Sequence, residues 1–328
     1  MADQRAGGIS WTDATWNPIR GCSRVSEGCR NCYAERTAIR YATPHKFAGG
    51  DQSIAVNRAG PYYGLVKSTS SGPRWTGEVR FVEEALDLPV RWKKPRRIFV
   101  NSMSDLFHEK VEAGWIVSIF DVMRRCPQHT FQILTKRAEL MRDWMAVSIY
   151  GRDPLPNVWL GVSVENQETA DERIPLLLQT PAAVRWVSYE PALGPADFTR
   201  WLKVKRSDAP LAFRQIAVNN VFAAESSIGL DWIVVGGESG GPGARPFDLA
   251  WARSTIAQCR AAGVPVFCKQ LGSFPVWDGC GLVANNPPGP TVHDAAFGRE
   301  MTWLLLRDRK GGDPQEWPSD LRVREFPW

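Results

Sequence analysis

The 328-residue sequence contains no run of 18 apolar residues, which argues against a helical membrane span. Met1–Ser10 lacks the apolar core of a signal peptide, so the expectation is a cytoplasmic chain with reduced thiols. Lysine is scarce, 10 against 30 arginines, and the formal net charge is only +5. That charge is too small to identify a polyanionic partner by itself. The arginine excess suits phosphate binding and equally suits a GC-rich coding sequence. The stretch Gly236–Gly243 fits neither a Walker loop nor a dinucleotide fingerprint. No nucleophile motif marks a hydrolase. With 44% hydrophobic and 23% charged residues, the composition excludes a disordered chain, a collagen and a coiled coil.

What is present is a rhythm. Short apolar, β-branched runs recur at Ile98–Val100, Phe131–Leu134, Val158–Val162, Val184–Val187, Trp232–Val235 and Val264–Phe267. Amphipathic helical patterns lie between them, as at Val111–Arg125, Ala138–Ser148 and Trp251–Ala261. Buried runs alternating with helices indicate βαβ units and a parallel sheet. With a strand near Trp11–Trp16, the expectation is an α/β fold. Its form is an incomplete parallel TIM-type barrel of six to seven strands, one domain spanning residues 1–328. A cysteine loop occupies 20–36, with insertions at about 42–78 and 197–230. The first insertion reads as loop and the second as helix plus loop. An irregular segment, 273–328, wraps the outside.

Each run stops at polar, reactive side chains. The ends are Asn101-Ser102-Met103-Ser104-Asp105, Thr135-Lys136-Arg137, Ser163-Val164-Glu165-Asn166, Ser188-Tyr189-Glu190-Pro191, Gly236-Gly237-Glu238-Ser239-Gly240 and Cys268-Lys269-Gln270. In parallel α/β barrels the reactive groups sit at the carboxyl ends of the strands. Six polar ends in succession point to one shared mouth. The dense basic run Arg91–Arg97 precedes a strand and reads as a solvated bottom face, with phosphate contact and Trp92 stacking as the alternative.

Cys22, Cys29 and Cys32 are spaced C-x6-C-x2-C, with Arg20, Arg24, Arg30 and Arg36 around them. Three clustered cysteines in a reduced compartment argue for metal binding rather than a disulfide. Structural zinc takes four protein ligands, and a distant residue such as His45 would have to complete the set. A [4Fe–4S] cluster on three cysteines leaves one iron open. Spacing alone leaves both metals in play. Cys126, Cys259, Cys268 and Cys280 read as packing residues.

Further stretches carry a resemblance. They are Trp11-Thr12-Asp13-Ala14-Thr15-Trp16-Asn17-Pro18, Gly21-Cys22, Gly28-Cys29, Asn31-Cys32-Tyr33-Ala34-Glu35, Asn101–His108, Trp159–Asn166, Tyr189-Glu190-Pro191, Gly236–Gly240 and Ala244-Arg245-Pro246. Together they resemble a phage and bacterial family named for its three-cysteine motif. That family is in turn similar to radical S-adenosylmethionine (SAM) enzymes, spore photoproduct lyase among them. The resemblance implies a [4Fe–4S] cluster on Cys22, Cys29 and Cys32, and SAM as cofactor. It also implies a 5′-deoxyadenosyl radical, and an electron donor such as a flavodoxin or ferredoxin. The implied substrate is a nucleic acid or nucleotide, repaired or modified. Asn101, Ser102, Asp105, Ser163 and Glu165 fall where the cofactor is contacted. Lys136, Arg245 and Lys269 are placed toward substrate, and Glu190 and Glu238 are candidate catalytic groups. The spacing departs from the C-x3-C-x2-C of radical enzymes. The Gly236-Gly237-Glu238 triplet follows the sixth run instead of the second, which turns Glu238 toward substrate. Two other classes compete: a zinc-stabilised, non-catalytic nucleic-acid-binding protein, and a metal-free hydrolase using Glu165, Glu190 and Glu238.

Overall fold

The computed structural model describes residues 8–42, 60–205, 227–240, 243–277, 288–294 and 299–327. Its centre is one seven-stranded sheet: β1 (Ala14–Trp16), β2 (Arg97–Val100), β3 (Thr130–Thr135), β4 (Val158–Val164), β5 (Val184–Tyr189), β6 (Trp232–Gly236) and β7 (Val266–Gln270). The strands lie in chain order and every neighbouring pair is parallel. β1 and β7 do not pair, so the sheet curls into an incomplete barrel. Helices α1 (Tyr33–Arg40), α2 (Ala113–Arg125), α3 (Ala138–Val147), α4 (Gln167–Gln179) and α5 (Leu249–Ala262) alternate with the strands. Local chemistry sets several ends. Asn166 and Thr169 form a reciprocal capping box on α4, and Gly263, at φ 66°, ends α5 in the left-handed conformation.

Both faces of the sheet are covered, and the two-residue period of a strand sorts them. Val158, Leu160, Val162 and Val164 of β4 pack under the helices, as do Val187 and Tyr189 of β5 and Ile233 and Val235 of β6. The alternate residues face the concave side. Its lower half is filled by Phe99, Trp159, Trp186, Trp232 and Phe267, with Trp11 added from ahead of β1. The Trp11 and Trp186 rings meet edge-on at 5.2 Å, and those of Trp186 and Trp232 lie tilted at 5.3 Å. Such pairs add roughly 0.5–1.5 kcal/mol each beyond area burial. The carboxyl-terminal residues bridge the gap between the edges. Cys268 N donates to Val323 O along β7, while Phe326 packs on Trp232 and receives the Arg97 guanidinium at 4.0 Å from the β2 side.

Three local expectations change. Within 42–78 the residues from 60 onward are not plain loop: Val66–Thr69 and Gly72–Trp75 form a hairpin that packs on α1. Its turn glycine, Gly72, has φ 98°, and its polar, solvent-facing strands gave no hydrophobic period to read. The insertion at 197–230 shows no helix longer than the single turn Thr199–Trp201 among its described residues, and a two-residue ribbon joins Val204–Lys205 to Ser227–Ile228. Among its described residues the segment from 273 is regular up to Leu304 and irregular only beyond it. Pro275–Trp277, Pro288–Asp294 and Arg299–Leu304 join Phe247–Asp248 in a four-stranded sheet. Its pairings are long-range, and its prolines mask the strand pattern.

Candidate functional site

Because the period of two continues to the strand ends, each strand of the mouth delivers its last inward side chain to one place. These are Asn101 after β2, Lys136 after β3, Glu165 after β4, Glu190 after β5, Glu238 after β6 and Lys269 at the end of β7. A cavity of about 230 Å³ opens there. Its floor is apolar, with Ile9, Trp11, Phe99 and Leu134, and its walls are polar. The cysteine loop closes it from above, and Cys22, Cys29 and Cys32 all line it. Asn101, Ser102, Asp105, Lys136, Ser163, Glu190, Glu238 and Lys269 line it too, whereas Glu165 and Arg245 stand behind it.

The loop fits its seat closely. Gly21 has φ 92°, and a Cβ there would lie 2.1 Å from Glu78 O, so only glycine serves. On one flank Ser26 Oγ donates to Glu165 Oε1 at 3.0 Å, and Arg137 Nη2 donates to Ser23 Oγ at 2.7 Å. On the other flank Asn31 Nδ2 donates to Glu238 Oε2 at 2.9 Å, and Arg245 Nη1 donates to Glu27 O at 2.9 Å. Arg245 also grips Glu238 with its backbone N and Nε on Oε2 and Nη2 on Oε1, a bidentate clamp.

The carboxylates of the mouth are therefore all engaged. Asp105 accepts from Thr135 Oγ1, Arg137 Nη1 and the backbone of Phe107 and Lys136. Glu165 is 2% exposed and meets Arg173 Nη1 at 3.0 Å and Lys136 Nζ at 3.5 Å. Glu190 receives Lys269 Nζ at 2.7 and 2.8 Å and Gln270 Nε2 at 3.1 Å. Burial alone would push the Glu238 carboxyl up, but its bonds from Arg245 and Asn31 hold it below the ordinary range. Free hydrogen-bonding capacity lies elsewhere. Asn101 takes the left-handed conformation at φ 59°; its Oδ1 accepts from Ile19 N and its buried Nδ2 has no partner. Ser163 and Ser188 are register partners across β4 and β5, both buried at the cavity wall.

The thiols are buried to different effect. Burial pushes Cys22 up to about 12; Asp105 adds to this, while Arg137, whose Nη1 stands 3.9 Å from Cys22 Sγ, opposes it. Cys32 is raised as well, chiefly by burial. The three thiols interact electrostatically with one another. Among the described residues, no three His, Cys, Asp or Glu side chains converge as ligands of a single ion. His45 and Cys280 lie outside the described residues. Cys126, Cys259 and Cys268 are buried packing residues, and the Arg91–Arg97 run lies at the amino end of β2, where Arg97 pairs with Asp13 at 3.0 Å.

Sequence reasoning placed Arg137 and Ser188 among the strand ends of the mouth without giving either a role, and it did not single out Trp11 as part of this site. Ser188 was accessible, because it shares the parity of Trp186 and Glu190. Arg137 was not, because its approach to Cys22 depends on how the loop folds back over the mouth. A family model described as a protein of unknown function, DUF5131, matches residues 6–302. No curated protein and no solved structure matches.

Proposed function

Since the chain belongs to the DUF5131 family of proteins of unknown function, its chemistry has to come from the site, and we propose a SAM-dependent radical enzyme whose Cys22, Cys29 and Cys32 hold a [4Fe–4S] cluster. The observation that carries this is the lining of one mouth cavity by all three thiols together with the polar strand ends. The donor set fits: three thiolates from one loop suit a cluster with one open iron. A single structural zinc would need a fourth protein ligand beside these three, and His45 and Cys280 lie outside the described residues. Held by these cysteines, such a cluster would supply one-electron reducing chemistry to a sulfonium cofactor.

The chain's own residues bind, orient and exclude water. Asn101 Nδ2 and the Ser163 and Ser188 hydroxyls offer hydrogen bonds to a polar cofactor, and Ser102 borders them. Asp105 and Glu165 act one step back, holding Arg137, Lys136 and the cysteine loop in place. Ile9, Trp11, Phe99 and Leu134 form an apolar floor that would keep water from the reacting atoms. Glu190 with Lys269, and Glu238 with Arg245, border the remaining side, where substrate would enter. The substrate class, nucleic acid, rests on the lyase resemblance, on the arginine excess and on a tryptophan content of 15 in 328 residues. The electron donor would be a flavodoxin or ferredoxin.

The test is anaerobic purification with iron, sulfide, zinc and the visible spectrum measured together. About four irons and as many sulfides per chain are expected, lost in Cys22→Ala, Cys29→Ala and Cys32→Ala alike. Stoichiometric zinc without iron after reconstitution would overturn the proposal in favour of a zinc-stabilised binding protein.

A further inference from the structure

We propose that the outer face of the cysteine loop binds single-stranded nucleic acid, with Arg20 and Arg80 on the phosphates and Tyr41 and Tyr63 against the bases. This deepens the substrate half of the preceding reading and rests on it for what happens in the cavity; the surface itself rests on geometry.

Charge is concentrated here. Residues 9–42 and 60–80 hold eight Lys and Arg against four Asp and Glu, a balance of +4 out of +5 for the whole chain. Within this region Arg20 and Arg80 are direct partners in the antiparallel ribbon Ile19–Arg20 with Arg80–Phe81. Like charges opposite one another destabilise a ribbon, and neither arginine has an ion pair among the described residues. An anion between them would turn that cost into binding. Both side chains are aimed by neighbours: the Arg20 guanidinium lies 5.5 Å over the Tyr62 ring, and Arg80 Nη2 donates to Tyr63 O at 2.9 Å.

Aromatic platforms flank the pair. Tyr41 is 53% exposed and Tyr63 54%, while Tyr62 is buried between the arginine and the core. Tyr41 lies close enough to Tyr62 to interact with it electrostatically. Alternating cations and exposed rings are what a single strand needs, since its phosphates pair with arginine and its splayed bases stack. A purely acidic protein would use the arginines and leave the rings unexplained. The surface also borders the mouth: Arg20 is followed by Gly21 and Cys22, and Cys22 lines the cavity.

The test uses the full chain and a fluorescent oligothymidylate or oligouridylate, with anisotropy measured over a salt series. Binding that weakens with salt is expected. Tyr41→Ala and Tyr63→Ala should each weaken it about fivefold or more, and Arg80→Ala should lower the salt slope by about one. All three side chains are exposed, so the variants should fold, which thermal unfolding checks. Preference for one oligomer tells DNA from RNA. No binding at low salt, variants that bind like the parent, or displacement by polyglutamate as effective as by unlabelled oligomer would each overturn the proposal. Binding by protein that takes up no iron on reconstitution would support this surface while the cluster reading fails, and iron-loaded protein that does not bind would do the reverse.

Discussion

A Cβ placed on Gly28 would lie 2.2 Å from Oε1 of Glu165 and 2.7 Å from its Cδ. The cysteine loop thus touches the end of β4 with nothing to spare, and the contact is locked because Glu165 is tied to Arg173 and Ser26. The two parts are 139 residues apart between Ser26 and Glu165, so the seat for Cys29 is built by the barrel and not by the loop.

Gly28→Ala should therefore displace Glu165 or lift the loop. The expected cost is about 1–3 kcal/mol of stability, typical of overpacking a filled site, read from urea unfolding. Iron retention should fall with it. A variant as stable as the parent, with full iron, would show that the loop moves freely over β4.

The opposite flank predicts a pH dependence. Glu238 has its folded pKa below its ordinary 4.5, because bonds from Arg245 and Asn31 outweigh the upward push of burial. A depressed carboxyl stabilises the fold above its unfolded pKa and loses that contribution as pH falls through the folded value. Stability should thus hold at pH 7 and decline below about 4.5, and Glu238→Gln should flatten that decline. Unfolding midpoints between pH 7 and 3 check this; an unchanged acid limb in the variant would exclude the clasp as a contributor.

Much of the fold was legible because a parallel sheet buries both faces. Val158–Val164 and Val184–Tyr189 are buried throughout and apolar except for Ser163, Arg185 and Ser188, and the polar residue that follows each places Glu165 and Glu190 on one rim. The cysteines were legible from spacing. The state of the mouth residues was not. Lys269 and Glu190 are separated by 79 residues, and only the closure of the sheet pairs them. The hairpin at Val66–Trp75 was hidden for the opposite reason: its residues are mostly polar, and only Val66 and Trp75 at its base are buried with Ala34 and Ala38 of α1.

Arg137 offers a separate prediction. It is buried, paired to Asp105 at 3.0 Å and Glu109 at 2.9 Å, and its Nη1 faces Cys22 Sγ at 3.9 Å. A cation beside a cluster thiolate favours the reduced state. If the cluster is present, Arg137→Gln should shift its midpoint potential negative, and Arg137→Lys should restore part of the shift. Iron affinity should drop about 10- to 100-fold, as for other outer partners of metal ligands. Redox titration of reconstituted protein decides it, and an unchanged potential in a folded Arg137→Gln variant would remove Arg137 from the site's electronics.

The last prediction concerns the floor on which the site stands. A Cβ at Gly161 would meet the Trp186 indole at 2.5 Å, so the β4 glycine is the space into which the β5 tryptophan lies. Gly161→Ala alone should cost about 1–3 kcal/mol by overpacking. Trp186→Ala alone should cost about 3–5 kcal/mol by leaving a cavity among Trp11, Trp159 and Trp232. The two costs should not add. With the indole gone, the alanine methyl has room and fills part of the void, so the double variant should be no less stable than Trp186→Ala. Urea unfolding of the four proteins gives the coupling directly. Additive losses would mean that the backbone of β4, and not the ring, resists the methyl group, and that the aromatic floor is looser than its edge-on contacts require.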